Sequence, residues 1–322
     1  MTIGIALSNF ATASTTTNVV DRAVELATEA ASVGIDTAWI AQLFSYDAVT
    51  LAAVVGREVP EIGVGTSVVP IHPRHPIHLA AAAKTAAAAT GGRFQLGVGL
   101  GAPAFTRPVY GVDPGPTIPA LREHLGALRG LLDGDDAAFQ GEIVTSAPPG
   151  PTRVAGADAR IPLLVAAMGQ GALRAAGELA DGTLPFLAGP QALREVIVPT
   201  ITGAAQAAGR PTPRVVAAVP AVVTEDVERA RAAAYSAGEF YDRIPSYQRI
   251  IRASGHERAG DLFLIGDETT VTGGLDDYLA AGATEVIITQ ADLLGDEDRA
   301  RTWSAVGAWA AARTEAARSA TV

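Results

Sequence analysis

A length of 322 residues accommodates one large α/β domain, and 48% hydrophobic residues with a mean hydropathy of +0.25 supply a substantial core. A formal charge of -10, Lys84 as the sole lysine and singly scattered arginines exclude a nucleic-acid binder, which needs a basic stripe to displace counterions. The absence of cysteine removes disulfides, iron–sulfur clusters, thiol nucleophiles and Cys-rich zinc sites.

Short β-branched runs alternate with longer helical runs along the chain. "IGIAL" (3–7) reads as the first strand, followed by a helix over about 18–33 with Asn18 as N-cap and Gly34 as its stop. "TAWIA" (37–41) is the second strand, with a helix near 46–57 after it. "IGVGTSVV" (62–69) is the third, and Pro76 suits the first turn of the helix that follows. "FQLGVGL" (94–100) is the fourth. Strands five to eight are read at 161–167, 182–186, 214–223 and 285–290, and a helix over about 297–316 closes the chain.

Eight strand–helix units with nearly continuous apolar strands predict a parallel sheet buried on both faces. The count fits a (β/α)8 TIM barrel, with 1–322 as a single domain. Two insertions interrupt the pattern, 102–160 after strand four, with one helix at about 117–132, and 224–284 after strand seven. Both leave from strand C-terminal ends, where barrels build their active sites. The N-terminal "MTIGIALSNF" lacks the pattern of a signal peptide and no apolar run approaches a membrane span, so a cytoplasmic protein without membrane contact is expected.

The predicted strand ends carry Asn9, Gln42, Ser67-Val68, Gly99-Leu100-Gly101, Met168-Gly169-Gln170-Gly171, Phe186 and Gln290. This set has no carboxylate pair, histidine triad or lysine. Schiff-base chemistry and metal-dependent hydrolysis therefore lack their residues. Small, amide and apolar groups suit a planar cofactor that brings its own reactivity. The backbone of Gly169, Gln170 and Gly171, just before "ALRAAGELA", is placed to hold a phosphate at a helix N-terminus, although a plain βα turn accounts for it equally. "GVGLG" (97–101) has the spacing G-x-G-x-G and is followed by Pro103, so no helix is expected there to meet a pyrophosphate.

"GVGTSVVP" with "RHPIHLA", "GGRFQLGVGLG" and "IPLLVAAMGQGALRAAGELADGTLPF" together resemble the luciferase-like flavin and deazaflavin oxidoreductases. "IPSYQRII" and "AAGATEVIIT" extend the resemblance over nearly the whole chain. The resemblance implies a luciferase-like barrel binding the deazaflavin coenzyme F420, or alternatively FMN, at the C-terminal mouth. It implies that Ser67 and Val68 form a bulge with a cis peptide behind the ring. Gly99 and Gly101 would lie beside the ring, Gly169, Gln170 and Gly171 would reach the cofactor phosphate, and Met168 before them is a further cofactor-binding candidate. The sequence departs from the family where an acidic residue and histidine often end strand two: here Gln42-Leu43 stand. Ala102 stands where some members place a glutamate, and Pro190 where some place a lysine, which argues against the glucose-6-phosphate dehydrogenase branch.

The activity implied is hydride transfer between the deazaflavin C5 and a small, largely apolar substrate. The alternatives are an FMN-dependent monooxygenase or flavin reductase, and a barrel that binds cofactor without catalysis. Gln42 and Asn9 are the candidates for hydrogen bonds to substrate or ring edge, though Gln42 serves equally to satisfy strand-end backbone. Arg243 is a candidate phosphate partner, and Tyr241, Arg243 and Tyr247 are candidates to close a lid or simply to pack it. No metal site is expected from "IHPRHPIH" (71–78), because Pro73 and Pro76 split its histidines between a kinked loop and a helix start. Arg74 or His75 is expected to reach the pocket rim, and the family resemblance implies a homodimer.

Overall fold

The computed structural model describes residues 2–7, 18–101, 103–113, 115–134 and 138–319. Eight parallel strands close into a barrel: β1 (Thr2–Leu7), β2 (Thr37–Ile40), β3 (Gly63–Thr66), β4 (Phe94–Gly99), β5 (Leu163–Ala166), β6 (Gly182–Thr183), β7 (Arg214–Val223) and β8 (Glu285–Thr289). Closure is made by β8, which pairs with both β7 and β1. Helices α1 (Val19–Ser32), α2 (Ala48–Glu58) and α3 (Pro76–Ala89) cross over between the first four strands. The structure is a (β/α)8 barrel.

Side chains on a strand alternate between its two faces, and the barrel shows what each face holds. Along β7, Val215, Ala217, Val219, Ala221 and Val223 pack outward into the main core under the helices. Val216 and Ala218 point the other way, joining Trp39, Leu164, Leu184 and Ile287 in a separate cluster. Inside the barrel, Trp39 is the bulkiest member and is 1% exposed. Its Nε1 donates to Thr37 Oγ1 at 2.9 Å. Two glycines make room for it: a Cβ at Gly4 would stand 2.7 Å from Trp39 Nε1, and one at Gly65 2.5 Å from Trp39 Cζ3.

Ion pairs gather at the N-terminal ends of the strands. Arg214 at the start of β7 forks onto Glu285 at the start of β8, at 2.6 and 2.7 Å. Asp181, just before β6, accepts from the Leu163 N–H at 2.8 Å and lies against Arg129, Arg160 and Arg210. This floor ties α5, β5, β6 and the approach to β7 together, where α5 is Thr117–Asp133.

The insertions are more ordered than the sequence indicates. A helix α4 (Pro103–Tyr110) follows the strand-four glycines, correcting the expectation that none starts there. Proline suits a first helical turn, whose N–H has no intrahelical partner. After α5 comes a two-stranded antiparallel hairpin, Phe139–Gln140 with Thr145–Ser146. The Glu123 carboxylate on α5 grips its turn by accepting from the N–H groups of Glu142, Ile143 and Val144.

The second insertion holds α8 (Val227–Asp242), α9 (Pro245–Ala253), a short strand Leu264–Gly266 and α10 (Glu268–Ala280). Helices α6 (Gln170–Leu179) and α7 (Val198–Ala207) precede it, and α11 (Asp296–Ser319) ends the chain. The short strand adds to the last three residues of β7, Ala221 to Val223. Among the described residues, no helix is long and apolar enough to cross a membrane.

Candidate functional site at the barrel mouth

The third strand does not run to Val69 as one piece. It stops at Thr66, the Ser67–Val68 peptide is cis, and Val69–Pro70 resumes beside Val98 and Gly99 of β4. Where β3 leaves the ladder, the Thr66 hydroxyl takes over: it donates to Gly97 O at 2.8 Å and accepts from Gly97 N at 2.9 Å. Gly99 lets the bulge lie close, since a Cβ there would stand 2.8 Å from Val68 Cγ2.

Val68 and Gly99 open onto a cavity of about 480 Å3, within the usual range for small-molecule and cofactor sites. Leu100, Gly101, Ala166 and Met168 continue this wall. Opposite the strand ends, α6 begins at the cavity. Its first intrahelical bond is Leu173 N–H to Gly169 O at 2.9 Å. The N–H groups of Gln170, Gly171 and Ala172 therefore precede the helix's own ladder, and all three residues line the cavity.

The N-cap Gly169 has no side chain to cap them, and its φ of -83° and ψ of 147° suit any residue. A Cβ at Gly169 would meet nothing within 4 Å. The glycine thus keeps a cradle open at an end of the helix that attracts anions. Among the described lining residues there is no Asp or Glu, and Arg249 is the one cation at neutral pH. These groups fit a flat cofactor with a phosphate.

The second insertion closes the far side. Phe240, Tyr241, Ile244 and Tyr247 line the cavity from α8, α9 and the turn between them. Tyr241 and Tyr247 meet edge to face with ring centroids 4.8 Å apart. Phe186, reached just past β6, stands edge-on to Tyr241 at 5.2 Å and to Tyr247 at 6.2 Å. Such pairs contribute about 0.5–1.5 kcal/mol each beyond area burial and fix the ring orientations. Burial pushes both phenols above the usual tyrosine range, with Tyr241 adding to the effect on Tyr247.

The residues singled out in the sequence divide into three groups. Val68, Gly99, Gly101, Met168, Gly169, Gln170 and Gly171 lie together on the cavity wall, as do Tyr241 and Tyr247. Gln42, Ser67 and Arg243 are not among its lining residues. The Gln42 amide is fully engaged: Nε2 donates to Leu43 O and Tyr46 O at 2.6 Å each, and Oε1 accepts from Ala48 N and Arg74. It holds the loop into α2. Ser67 contributes backbone, its N–H donating to Ile40 O at 2.9 Å. Arg243 is exposed and pairs with Glu239 one turn back on α8. Asn9 and Ala102 lie outside the described residues.

The sequence reading missed His72, Ile118 and Arg249, all of which line the cavity. A signal for Arg249 existed in "SYQRII", where it stands two residues beyond Tyr247.

The histidines of "IHPRHPIH" take separate tasks. His72 lines the cavity, and burial pushes its imidazole below the usual range. His75 caps α3, its Nδ1 accepting from Ile77 N at 3.2 Å while Nε2 faces Thr145 O at 2.9 Å. The ring of His78 is 6.4 Å from that of His75. Arg74 pairs with Asp47 and Gln42 rather than entering the cavity, so it is His72 that reaches the wall. Burial pushes the Asp47 carboxyl up, but the Thr50 N–H and Arg74 outweigh it and hold it below the usual range. Among the described residues, no three histidine or acidic side chains gather to hold a metal ion.

Comparison with known proteins bears on the whole arrangement. The chain is 28% identical over 200 residues to the 5,10-methylenetetrahydromethanopterin reductase of Methanolobus tindarius, covering 62% of this chain and 60% of that one. The chain spans three-fifths or less of the length of three curated relatives it matches, this one among them. The coenzyme F420 dependent tetrahydromethanopterin reductase of Methanopyrus kandleri superposes with a TM-score of 0.72 at 22% identity, covering 95% of this chain and 97% of that one. A type II Baeyer–Villiger monooxygenase component from Pseudomonas putida, in complex with FMN, does so with a TM-score of 0.76 at 17% identity, covering 95% and 97%. The family model for luciferase-like monooxygenases matches residues 1–305.

Proposed function

The chain belongs to the luciferase-like monooxygenase family, and from that premise we propose that it is a coenzyme F420-dependent oxidoreductase acting on a small, largely apolar organic substrate. The observation that carries the reading is one cavity at the barrel mouth that joins the Val68–Gly99 wall to the open helix start at Gly169. Bound there, reduced F420 supplies a hydride from its C5.

The chain's own residues do the rest. Val68 and Gly99 would back the ring, and Gly101 and Met168 would flank it. The N–H groups of Gln170 and Gly171 would hold the phosphate, with Arg249 at the rim adding a charge. Leu100, Ile118 and Ile244 exclude water from the space between the ring and the aromatic wall. A cavity whose one described charge, Arg249, is exposed at the rim suits an uncharged substrate, because a buried charge needs a partner.

The reading of F420 over FMN is supported by the reductase relatives, and the monooxygenase relatives support the other choice. Titrating the purified protein with F420 and with FMN, following cofactor fluorescence, decides between them. We expect F420 to bind and FMN to bind weakly; tight binding of FMN alone overturns the reading. Binding of F420 without turnover of any imine, enone, ketone or nitro compound would point to a barrel that carries cofactor without catalysis. The same proposal takes the whole of 1–322 as one working unit and a homodimer as its assembled state. A monomer mass by light scattering would remove the latter.

A further inference from the structure

We propose that Tyr241 and Tyr247 form a paired hydrogen-bond donor that selects ligands carrying a neutral acceptor atom, a carbonyl oxygen above all, on an otherwise apolar body. The inference rests on the proposed function for the neighbouring cofactor and deepens it by naming the substrate class. Both phenols line the cavity, and neither hydroxyl has a hydrogen-bond partner among the described residues. We place both O–H groups toward the cavity that the two residues border.

The rings are held by three edge-to-face contacts with Phe186 and Phe240 and a fourth with each other, which fixes their orientations. Burial raises the phenol pKa values, and a phenol in this setting stays protonated and can donate. The surroundings decide what it donates to. Ile118, Leu100, Ile244 and Met168 offer apolar contact, and no carboxylate of the described lining competes as acceptor. A carboxylate ligand at this depth would lose its hydration without a cation beside it, because Arg249, the one cation of the described lining, is exposed at the rim. A hydrocarbon ligand would leave two donors unpaired. A carbonyl oxygen has two lone pairs and answers both hydroxyls.

The test uses the full chain, with and without F420, and two probes of matched shape, acetophenone and ethylbenzene, followed by calorimetry. We expect wild type to prefer acetophenone by about tenfold or more, as unpaired buried donors penalise the hydrocarbon. Tyr241→Phe and Tyr247→Phe should each lose part of the preference and the double variant all of it, with ethylbenzene affinity unchanged. F420 affinity should also be unchanged in these variants. In wild type, acetophenone should perturb the ultraviolet difference spectrum of tyrosine and ethylbenzene should not, a readout that needs no variant to fold.

A preference that survives in the double variant, or is absent from wild type, overturns the proposal. Loss of F420 affinity in the phenylalanine variants overturns it too, since the phenols would then face the cofactor. If neither F420 nor FMN binds, the cofactor reading fails, while the probe preference of the bare chain still decides this one.

Discussion

The two ends of the barrel are built from opposite materials. At the N-terminal floor, Arg214 and Glu285 lock β7 to β8, and Asp181 is surrounded by Arg129, Arg160 and Arg210. At the C-terminal mouth, glycines, apolar side chains and tyrosines line a cavity without a described carboxylate. The difference separates stability from chemistry. The floor fixes the strands by charge pairs that need no ligand, whereas the mouth keeps donors and open backbone free for a ligand to complete.

The largest effect should come from breaking the floor. Asp181→Ala leaves partly buried arginines facing one another and should cost about 3–5 kcal/mol of stability by urea unfolding. F420 affinity of the folded protein should not move; if it does, the two ends are coupled and the contrast fails.

The next effect appears on acidification and belongs to the mouth side. Burial, aided by His72 and His75, pushes the imidazole of His124 on α5 down to about 3, and its Nε2 has no hydrogen-bond partner. The ordinary imidazole value of 6.5 applies to the unfolded chain, so the unfolded state takes up a proton first. The neutral ring's contribution is intact above 6.5 and is lost as pH falls from there toward 3. By pH 5 the loss should be about 2 kcal/mol, read from unfolding curves, and His124→Phe should flatten this segment of the profile.

A smaller effect sharpens the role of the cradle. Gly169→Val suits the backbone there, so stability should stay within about 0.5 kcal/mol of wild type. Its side chain would occupy the open helix start, and F420 affinity should fall about tenfold, read by cofactor fluorescence. The smallest effect separates two arginines. Arg249→Ala should weaken F420 binding about threefold, with the difference shrinking in high salt. Arg243→Ala removes only an exposed pair with Glu239 and should change neither binding nor stability by more than about 0.5 kcal/mol.

The strands were legible in the sequence because burial on both faces leaves continuous apolar runs, as in "RVVAAVPAVV". The glycines of the mouth were legible because backbone there approaches something, and family resemblance supplied what. Helix α4 was not, because Pro103 looks like a breaker until it is placed in a first turn.

Gln42 stood at the right strand end, yet which way an amide turns depends on Arg74 and on the Tyr46 carbonyl, contacts that no local pattern encodes. Arg243 and Arg249 were indistinguishable by residue type. Their difference arises from the turn between α8 and α9, which brings Arg249 to the cavity and leaves Arg243 beside Glu239. The short strand Leu264–Gly266 was too brief to give a periodic signal inside its insertion.

The indole inside the barrel has a consequence for how this chain can change over generations. Trp39, Gly4 and Gly65 come from three different strands; a Cβ at Gly65 would press on the indole at 2.5 Å, whereas one at Gly4 would meet Thr37 Oγ1 at 2.6 Å as well as the indole at 2.7 Å. At Gly65 the order of mutation matters: Gly65→Ala meets the indole while Trp39 is in place and finds room after a prior Trp39→Leu. A route to a larger side chain at residue 65 therefore runs through residue 39, and one at residue 4 through residues 37 and 39 together.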